Sequence, residues 1–455
     1  MKTKLREYQE IGRDKAVVAL AGGGGFMLLP EQRTGKTIIA LSVFEEFIKH
    51  VEYLVIACPV VAIPVWRKAI AHELPELRNL GIKVHIQNYE QYVCASKRWY
   101  KWADKRKGKI FMICDESHMI KARGANRSRV VRTLAKRAKY RLALTGTPIA
   151  NGLIDAWAQF NFIDPSIFGP FDDVLDKETG ELIEEHFNGR YIRWGGYKNH
   201  KIIGYRHEKE FNEIFHKHSF RITLREAKRQ GDQPPLKLQM TKSFVDLSGR
   251  SQFHYDEMLA ELQTIVDGKK VKVKNLLACI IKLQQICGGA MLLPLGEDDG
   301  GLVRMVQVGQ EKLDKLHEIV RSLRGGSKFL VICRYIHEID RIAAFLSRTL
   351  SYSVQIVRGG QPFDGKFTCD CVVMQIQSGM AVDMSQADAI LFYSTDYSYL
   401  NFEQARFRIL SYAKEYARYY FLLARGTIDE QIFEAVTRKK NLAKLVVDTY
   451  RRTRK

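Results

Sequence analysis

Short continuous apolar runs alternate with stretches of helical periodicity through the first third of the chain. Phe26-Met-Leu-Leu, Tyr53-Leu-Val-Ile-Ala, Lys109-Ile-Phe-Met-Ile-Cys and Tyr140-Arg-Leu-Ala-Leu have the length and apolar continuity of strands buried on both faces. Between them, 37–50 and 128–139 repeat their apolar positions at helical spacing. Such alternation predicts an α/β fold, a parallel sheet covered by helices on both faces. The pattern returns late in the chain, in Lys328-Phe-Leu-Val-Ile, Val354-Gln-Ile-Val, Cys371-Val-Val-Met and Ala389-Ile-Leu-Phe, so two α/β lobes are expected. Residues 251–287 read mainly as helix with a turn near Asp267-Gly268. Gly231-Asp-Gln-Pro-Pro235 is the clearest linker, and 296–301 reads as a second loop. These breaks divide the chain into a first lobe (1–160), a connecting region (161–240), a helical start of the second lobe (241–310) and the second lobe proper (311–455).

Composition narrows the class. The 455 residues leave room for about three domains, and 46% hydrophobic with 27% charged residues is a globular balance. Lysine and arginine total 72 against 51 acidic residues, a net charge of +21. An excess of that size points to a polyanionic partner, most often nucleic acid. The longest apolar run, 16–29, is broken by Gly22 to Gly25 and falls short of the roughly 20 residues a membrane span needs. Charged residues at positions 2, 4, 6 and 7 occupy the place of a signal peptide's apolar region, so a cytoplasmic protein without a membrane partner is expected. The eight cysteines form no Cys-x-x-Cys pair, and neither they nor the twelve histidines show zinc spacing. Cys114, Cys333 and Cys371 read as core thiols.

Two segments carry chemistry. Glu31-Gln-Arg-Thr-Gly-Lys-Thr37 follows an apolar run and opens a helix. A phosphate-binding loop requires that context, because N–H groups at a helix N-terminus face the anion. Gln32, Arg33, Thr34 and Gly35 would form the loop, Lys36 would reach the β- and γ-phosphates, and the Thr37 hydroxyl would ligate Mg²⁺. Pro30 stands where the usual signature has its first glycine, so the tripeptide alone reads equally as an ordinary helix start. Asp115-Glu-Ser-His118 shifts the balance. It emerges at the C-terminal end of an apolar run, where α/β sheets bind ligands. Asp115 is suited to hold Mg²⁺ through water, and Glu116 to polarise an attacking water. A pair of merely solvated acids is the weaker reading with a Gly-Lys-Thr loop upstream.

Asp115-Glu-Ser-His118 resembles motif II of superfamily-two helicases, and Leu144-Thr-Gly-Thr-Pro-Ile-Ala-Asn151 resembles motif III of their Swi/Snf branch. Leu5-Arg-Glu-Tyr-Gln9 is similar to the N-terminal adenine-recognising element, which implies that Gln9 reads the base, with Arg6 in the same nucleotide site. Cys58-Pro59 with Trp66 resembles motif Ia, and Asn88-Tyr-Glu90 a following motif. Tyr255 and Lys282-Leu-Gln-Gln-Ile-Cys287 look like the helical start of the second lobe. Ser378-Gly379 with Ala387 resembles motif V, which implies that Gly379 and Asp383 lie at the nucleotide. Glu403-Gln-Ala-Arg-Phe-Arg408 resembles motif VI, and Gly426-Thr-Ile-Asp-Glu430 the family's closing segment.

The resemblance spans nearly the whole chain. It implies two RecA-like lobes with helical elements between them, and ATP and Mg²⁺ in the cleft between the lobes. It also implies an ATP-dependent helicase or translocase on DNA, with RNA the lesser expectation. His118 would link motif II to Thr145 and Thr147 of motif III. The small size and spare connecting region resemble phage-encoded members that process forks and junctions, which would act in the host cytoplasm. Two departures keep a DNA-binding scaffold with a dead ATPase site as an alternative: Arg33 replaces the family's loop glycine, and Ser411 replaces the second arginine of motif VI. At about 100° per helical residue, Arg408 shares the face of Gln404. Arg408 is therefore expected to reach the γ-phosphate, and Arg406 to face DNA or an acidic partner.

Three basic segments are candidate DNA contacts. Lys97, Arg98, Trp99 and Trp102 interleave cations with aromatics, which suits stacking and phosphate contact as well as a solvated face anchored by its tryptophans. Residues 117–154 contain no acid, and Lys121 and Arg123 open that stretch. Residues 188–206 carry Arg193, Trp194, Tyr197 and Lys198, where family members have a structural element. The tail Arg451-Arg-Thr-Arg-Lys455 is expected to add nonspecific affinity.

Overall fold

The structure, a computed structural model, describes residues 1–438 apart from 150–151, 176–181, 197–200, 262, 267–268, 273–275, 295–302, 324, 359–366 and 378–383. It divides into two compact units that part between Pro235 and Leu236, within the expected linker.

The first unit contains β1 (Gly24–Leu28), β2 (Tyr53–Cys58), β3 (Lys83–Asn88), β4 (Ile110–Asp115) and β5 (Tyr140–Leu144). Two small hairpins follow, β6 (Val174–Leu175) with β7 (Leu182–Glu184) and β8 (Ile192–Gly195) with β9 (Lys201–Tyr205), and then β10 (Ser219–Phe220). The sheet runs β10-β1-β5-β4-β2-β3, parallel throughout. β2 is buried along its whole length and β4 up to Cys114, because helices cover both faces; the continuous apolar runs have this cause. On one face, the helix Lys36–Phe47 lays Phe44 edge-on against Phe111 at 5.3 Å and Phe47 against Tyr140 at 4.4 Å.

This strand order positions the site. β5 lies between β1 and β4, pairing Leu144 with Leu28 on one side and with Asp115 on the other. The loop after β5 is thereby held between the ends of the strands that launch the phosphate loop and the acid pair. β10 pairs with the outer edge of β1 and draws residues 161–235 into the first unit.

The second unit begins with β11 (Lys237–Val245). It continues through two hairpins, β12 (Gln263–Val266) with β13 (Lys269–Lys272) and β14 (Ala290–Pro294) with β15 (Val303–Gln307). β16 (Phe329–Cys333), β17 (Val354–Val357), β18 (Cys371–Gln375), β19 (Ala389–Phe392) and β20 (Tyr416–Ala424) complete it. Its main sheet, β11-β20-β19-β16-β18-β17, is also parallel. Each unit is thus a RecA-like lobe, a six-stranded parallel sheet flanked by helices.

The stretch expected to be mainly helical is two helices, Gly249–Glu261 and Leu276–Cys287, separated by the β12–β13 hairpin. The β-branched residues Thr264, Ile265, Val266 and Val271 on either side of Asp-Gly account for the hairpin. The turn itself (267–268) and the loop 296–301 lie outside the described residues. The helices join the lobe through specific bonds. The Tyr255 hydroxyl accepts the Ile428 N–H at 2.9 Å, and the Gln284 amide donates to the Thr395 carbonyl at 2.6 Å. Behind them, a buried ion pair joins Lys312 to Asp429 at 2.5 Å.

Candidate active site

The phosphate loop leaves β1 and turns into the helix Lys36–Phe47 at Gly35, whose φ of +84° is left-handed. Glycine adopts that conformation without steric cost, and a Cβ there would collide with the Gln9 amide. Arg33, the residue in place of the family's glycine, keeps a left-handed φ of +68°. Arginine bears a steric cost in that region that glycine does not. Thr34 is fully buried. Its hydroxyl donates to the Glu31 carbonyl at 2.6 Å, and its carbonyl accepts the Tyr8 hydroxyl at 3.0 Å and the Gln9 amide at 3.1 Å.

The Gln9 side-chain oxygen accepts the N–H of Arg6, the cap of the helix Glu7–Leu20, at 3.0 Å. Gln9 is thus the joint between that helix and the loop. Arg6 is exposed; Gln32, Gly35, Lys36 and Thr37 are half-buried along the loop and helix start.

Asp115 and Glu116 end β4. Asp115 Oδ2 accepts the Trp66 indole N–H at 2.8 Å, and Oδ1 accepts the Glu116 N–H at 2.9 Å. The Tyr89 hydroxyl donates to the Asp115 carbonyl. Glu116 takes a left-handed φ of +50°, a strained setting of the kind that collects at functional sites. Burial, reinforced by Glu116, lifts Asp115 above the usual carboxylate range, against the pull of Trp66 and Lys36. Burial would lift Glu116 too, but Lys36, His118 and Thr145 outweigh it and hold Glu116 ionised.

His118 Nδ1 lies 3.3 Å from Glu116 Oε2 and 3.1 Å from the Thr145 hydroxyl, and that hydroxyl accepts the Thr147 N–H at 3.1 Å. The structure therefore brings His118, Thr145 and Thr147 together. Between them and the phosphate loop sits Gly146. A Cβ there would lie 3.4 Å from Lys36 Nζ and 3.3 Å from the Gln32 N, so the motif III loop packs directly on the lysine. The Gln159 amide closes this side: its oxygen accepts the Ser117 hydroxyl at 2.8 Å and its NH₂ donates to the Pro148 carbonyl at 2.6 Å.

This donor set fits a nucleoside triphosphate with Mg²⁺. N–H groups at a helix start and one lysine face a polyanion, while a water-ligating carboxylate and an ionised glutamate stand beside them. Sequence reasoning assigned no role to Gln159 and placed Trp66 and Tyr89 only as parts of motif Ia and the motif that follows it. A buried indole is a donor that must be satisfied, but its acceptor 49 residues away is legible only in the fold.

In the second unit, Gln404, Arg406 and Arg408 are all buried. The helix spans Tyr399–Phe407, with Arg408 still helical at its cap. Arg406 makes a two-point ion pair with its own Glu403, at 2.7 and 3.1 Å, so its acidic partner is internal to the helix. Arg408 donates to Met374 Sδ at 3.3 Å and to the Ile376 carbonyl at 3.4 Å. Gly379 and Asp383, with Ser378, lie outside the described residues, as do Ala150, Asn151 and the basic tail.

The basic candidates separate. In the helix Ser96–Asp104, Trp99 is buried, and Trp102 packs on it at 5.1 Å and on Tyr53 at 5.1 Å, under the Arg106 guanidinium at 4.9 Å. Reading these rings as a base-stacking platform is corrected: core packing occupies them, at the N-terminal end of β2, opposite the acid pair. Lys97 and Arg98 remain exposed. Lys121 is paired with Asp155 at 3.4 Å and Arg123 with Asp172 at 2.9 Å, so neither presents an unbalanced charge. Arg193 is exposed on β8, whereas the Trp194 indole is half-buried and donates to Asn188 at 2.7 Å. Tyr197 and Lys198 lie outside the described residues. Cys114, Cys333 and Cys371 are buried. Among the described residues no helix is long and apolar enough to cross a membrane.

Two RecA-like lobes, the first bearing a Gly-Lys-Thr loop beside an Asp-Glu pair, set the class of fold to which the chain belongs. The chain belongs to the SNF2-related domain family, which residues 20–291 match. It is 22% identical to the chicken chromodomain-helicase-DNA-binding protein 1 over 98% of this chain and 27% of that protein. It is 24% identical to an uncharacterized ATP-dependent helicase of Mycoplasma genitalium over 97% of this chain and 42% of the other. The chain spans from about a quarter to about half of the length of the curated relatives it matches. Among solved structures it is similar to the Sulfolobus solfataricus SWI2/SNF2 ATPase core in complex with dsDNA, at 18% identity and a TM-score of 0.44, covering 99% of this chain and 94% of that one.

Proposed function

We propose that the chain is a DNA-dependent ATPase that couples hydrolysis to movement along duplex DNA. The observation that carries this is the packing of the motif III loop, through Gly146, onto Lys36 while Thr145 holds the His118–Glu116 pair. Such a loop meets both the phosphate-binding lysine and the water-orienting carboxylate. Bound Mg²⁺ would neutralise the terminal phosphates, held by Thr37 and, through water, by Asp115.

The side chains divide the remaining work. Lys36 places a fixed positive charge against the phosphates. Trp66 and the Glu116 N–H fix the orientation of Asp115. Glu116, held ionised, accepts a hydrogen bond from the attacking water and orients it, and His118 fixes its rotamer. Gln404 and Arg408 in the second unit complete the catalytic set in this reading, and Gln9 with Arg6 holds the base. The presence of Lys36, Thr37, Asp115 and Glu116 together argues against a scaffold with a dead site.

Family membership favours DNA as the track, the +21 charge suiting either nucleic acid, with forks and branched junctions as the structures to try first. Hydrolysis measured with duplex DNA, with RNA and with neither tests the proposal. Stimulation by DNA alone is expected. Stimulation by RNA without DNA would make the chain an RNA motor, and no hydrolysis under any condition would refute the enzyme.

A further inference from the structure

Glu31 is engaged at all of its polar groups. Its N–H donates to the Ile222 carbonyl at 2.8 Å, its carbonyl accepts the Thr34 hydroxyl at 2.6 Å, and its Oε2 accepts the Leu224 N–H at 2.8 Å. The first of these extends a ladder in which Met27 and Leu29 donate to the His218 and Phe220 carbonyls at 3.0 and 2.7 Å. The pairing of β1 with β10 thus continues past both strands into the phosphate loop.

Leu224 opens the helix Leu224–Gln230, which Thr223 and Glu226 cap reciprocally. From that helix the chain passes through 231–235 to Leu236, where the second unit begins. On the other side, the Thr34 held by Glu31 is the residue to which Tyr8 and Gln9 are tied. Phosphate loop, nucleotide-side helix and inter-unit connector therefore meet at one residue, whose backbone holds Thr34 and Ile222 and whose carboxylate holds Leu224.

A carboxylate in a loop built for a polyanion repels its ligand unless the charge is used elsewhere. Here it is spent on an N–H at the positive end of a helix. We infer that Glu31 is a positioning residue that makes the connector and the phosphate loop move as one, so that DNA engagement changes affinity for ATP through it. The inference rests on the DNA-dependent ATPase reading above.

The test measures binding of a non-hydrolysable ATP analogue with Mg²⁺, with and without saturating duplex DNA. The proteins are the wild-type chain, Glu31→Met and Glu31→Gln. In the wild type, DNA should change the dissociation constant by about fivefold or more, the lower range of site–site coupling. Glu31→Met, similar in size but unable to accept, should bring that factor to within about twofold of one, whereas Glu31→Gln, which keeps an acceptor, should restore most of it. If Glu31→Met does not fold, Leu224→Pro removes the same N–H from the other partner, at a first helical position that proline tolerates.

Analogue affinity that falls equally with and without DNA would show a plain structural brace and overturn the inference. So would an unchanged factor in Glu31→Met. A wild-type chain in which DNA alters neither analogue affinity nor hydrolysis would instead bring down the ATPase reading on which it rests.

Discussion

Replacing Trp66 with phenylalanine isolates one hydrogen bond at the acid pair. The indole N–H of the buried Trp66 is the donor to the half-buried Asp115 Oδ2, at 2.8 Å. Phenylalanine keeps most of the ring packing and removes the donor. A hydrogen bond to a charged group contributes about 1.5–3 kcal/mol, and one pKa unit corresponds to about 1.36 kcal/mol. The loss should therefore raise Asp115 by a further one to two units or so. Asp115 already sits above the usual carboxylate range because it is buried beside Glu116. The sign follows: the ionised form is the one that serves Mg²⁺, so activity is lost as pH falls through the raised value. In Trp66→Phe the acid limb of the pH–rate profile for hydrolysis should move alkaline by about one to two units. Higher Mg²⁺ should pull it back, because metal and proton compete for the same oxygens. The assay is steady-state hydrolysis from pH 5 to 9 at two Mg²⁺ concentrations, with a thermal melt alongside. A lower melting temperature with an unmoved acid limb would refute the reasoning, since the indole would then only fill space.

Lys36→Ala and Glu116→Gln should each lower DNA-stimulated turnover by about 10²-fold or more, with nucleotide binding kept in Glu116→Gln; near-normal turnover in either purified variant would remove the site assignment. Arg408→Ala should reduce turnover by about 10³-fold while leaving ATP binding comparatively intact. Arg406→Ala should act mainly on stability, because it strands the buried Glu403 carboxylate; the reverse ranking in turnover would contradict the assignment. Glu73, buried and held at about 2 because its bonds from Thr3 and His72 outweigh the burial that would raise it, stabilises the fold above the ordinary carboxylate range. Glu73→Gln should cost about 1–3 kcal/mol at neutral pH, by denaturant titration, and the difference from wild type should shrink as pH falls toward 2.

What could be read from the chain follows from where the physics is local. The strands β2, β4, β16 and β19 are continuous apolar runs because both faces are covered, and their positions were legible to within a residue. β3 was not: Lys83-Val-His-Ile-Gln-Asn is half-exposed at a sheet edge and lacks that signature. β20 escaped for a similar reason, since its first half mixes the exposed Tyr416 and the half-buried Arg418 with buried residues. The Lys36, Asp115, Glu116 and His118 set was legible because chemistry fixes both residue type and place at strand ends. Trp99 stayed open between stacking platform and core anchor because composition shows that cations and aromatics alternate, not which way each ring faces. The parts played by Trp66, Gln159 and Glu31 depend on contacts between distant segments and have no local trace.

The brace on the phosphate loop also sets an order of events on the ribosome. Glu31 and Leu224 are 193 residues apart, so the loop's support is made long after the loop itself. At roughly 5–20 residues per second, about 10–40 s separate the two. Once β5 has joined β1, and until β10 is made, β1 is the outermost strand of the nascent sheet, because β10 covers its outer edge. An open parallel edge invites pairing with another chain. Holdase chaperones therefore have a defined window on this protein, which closes when residues 218–224 leave the exit tunnel.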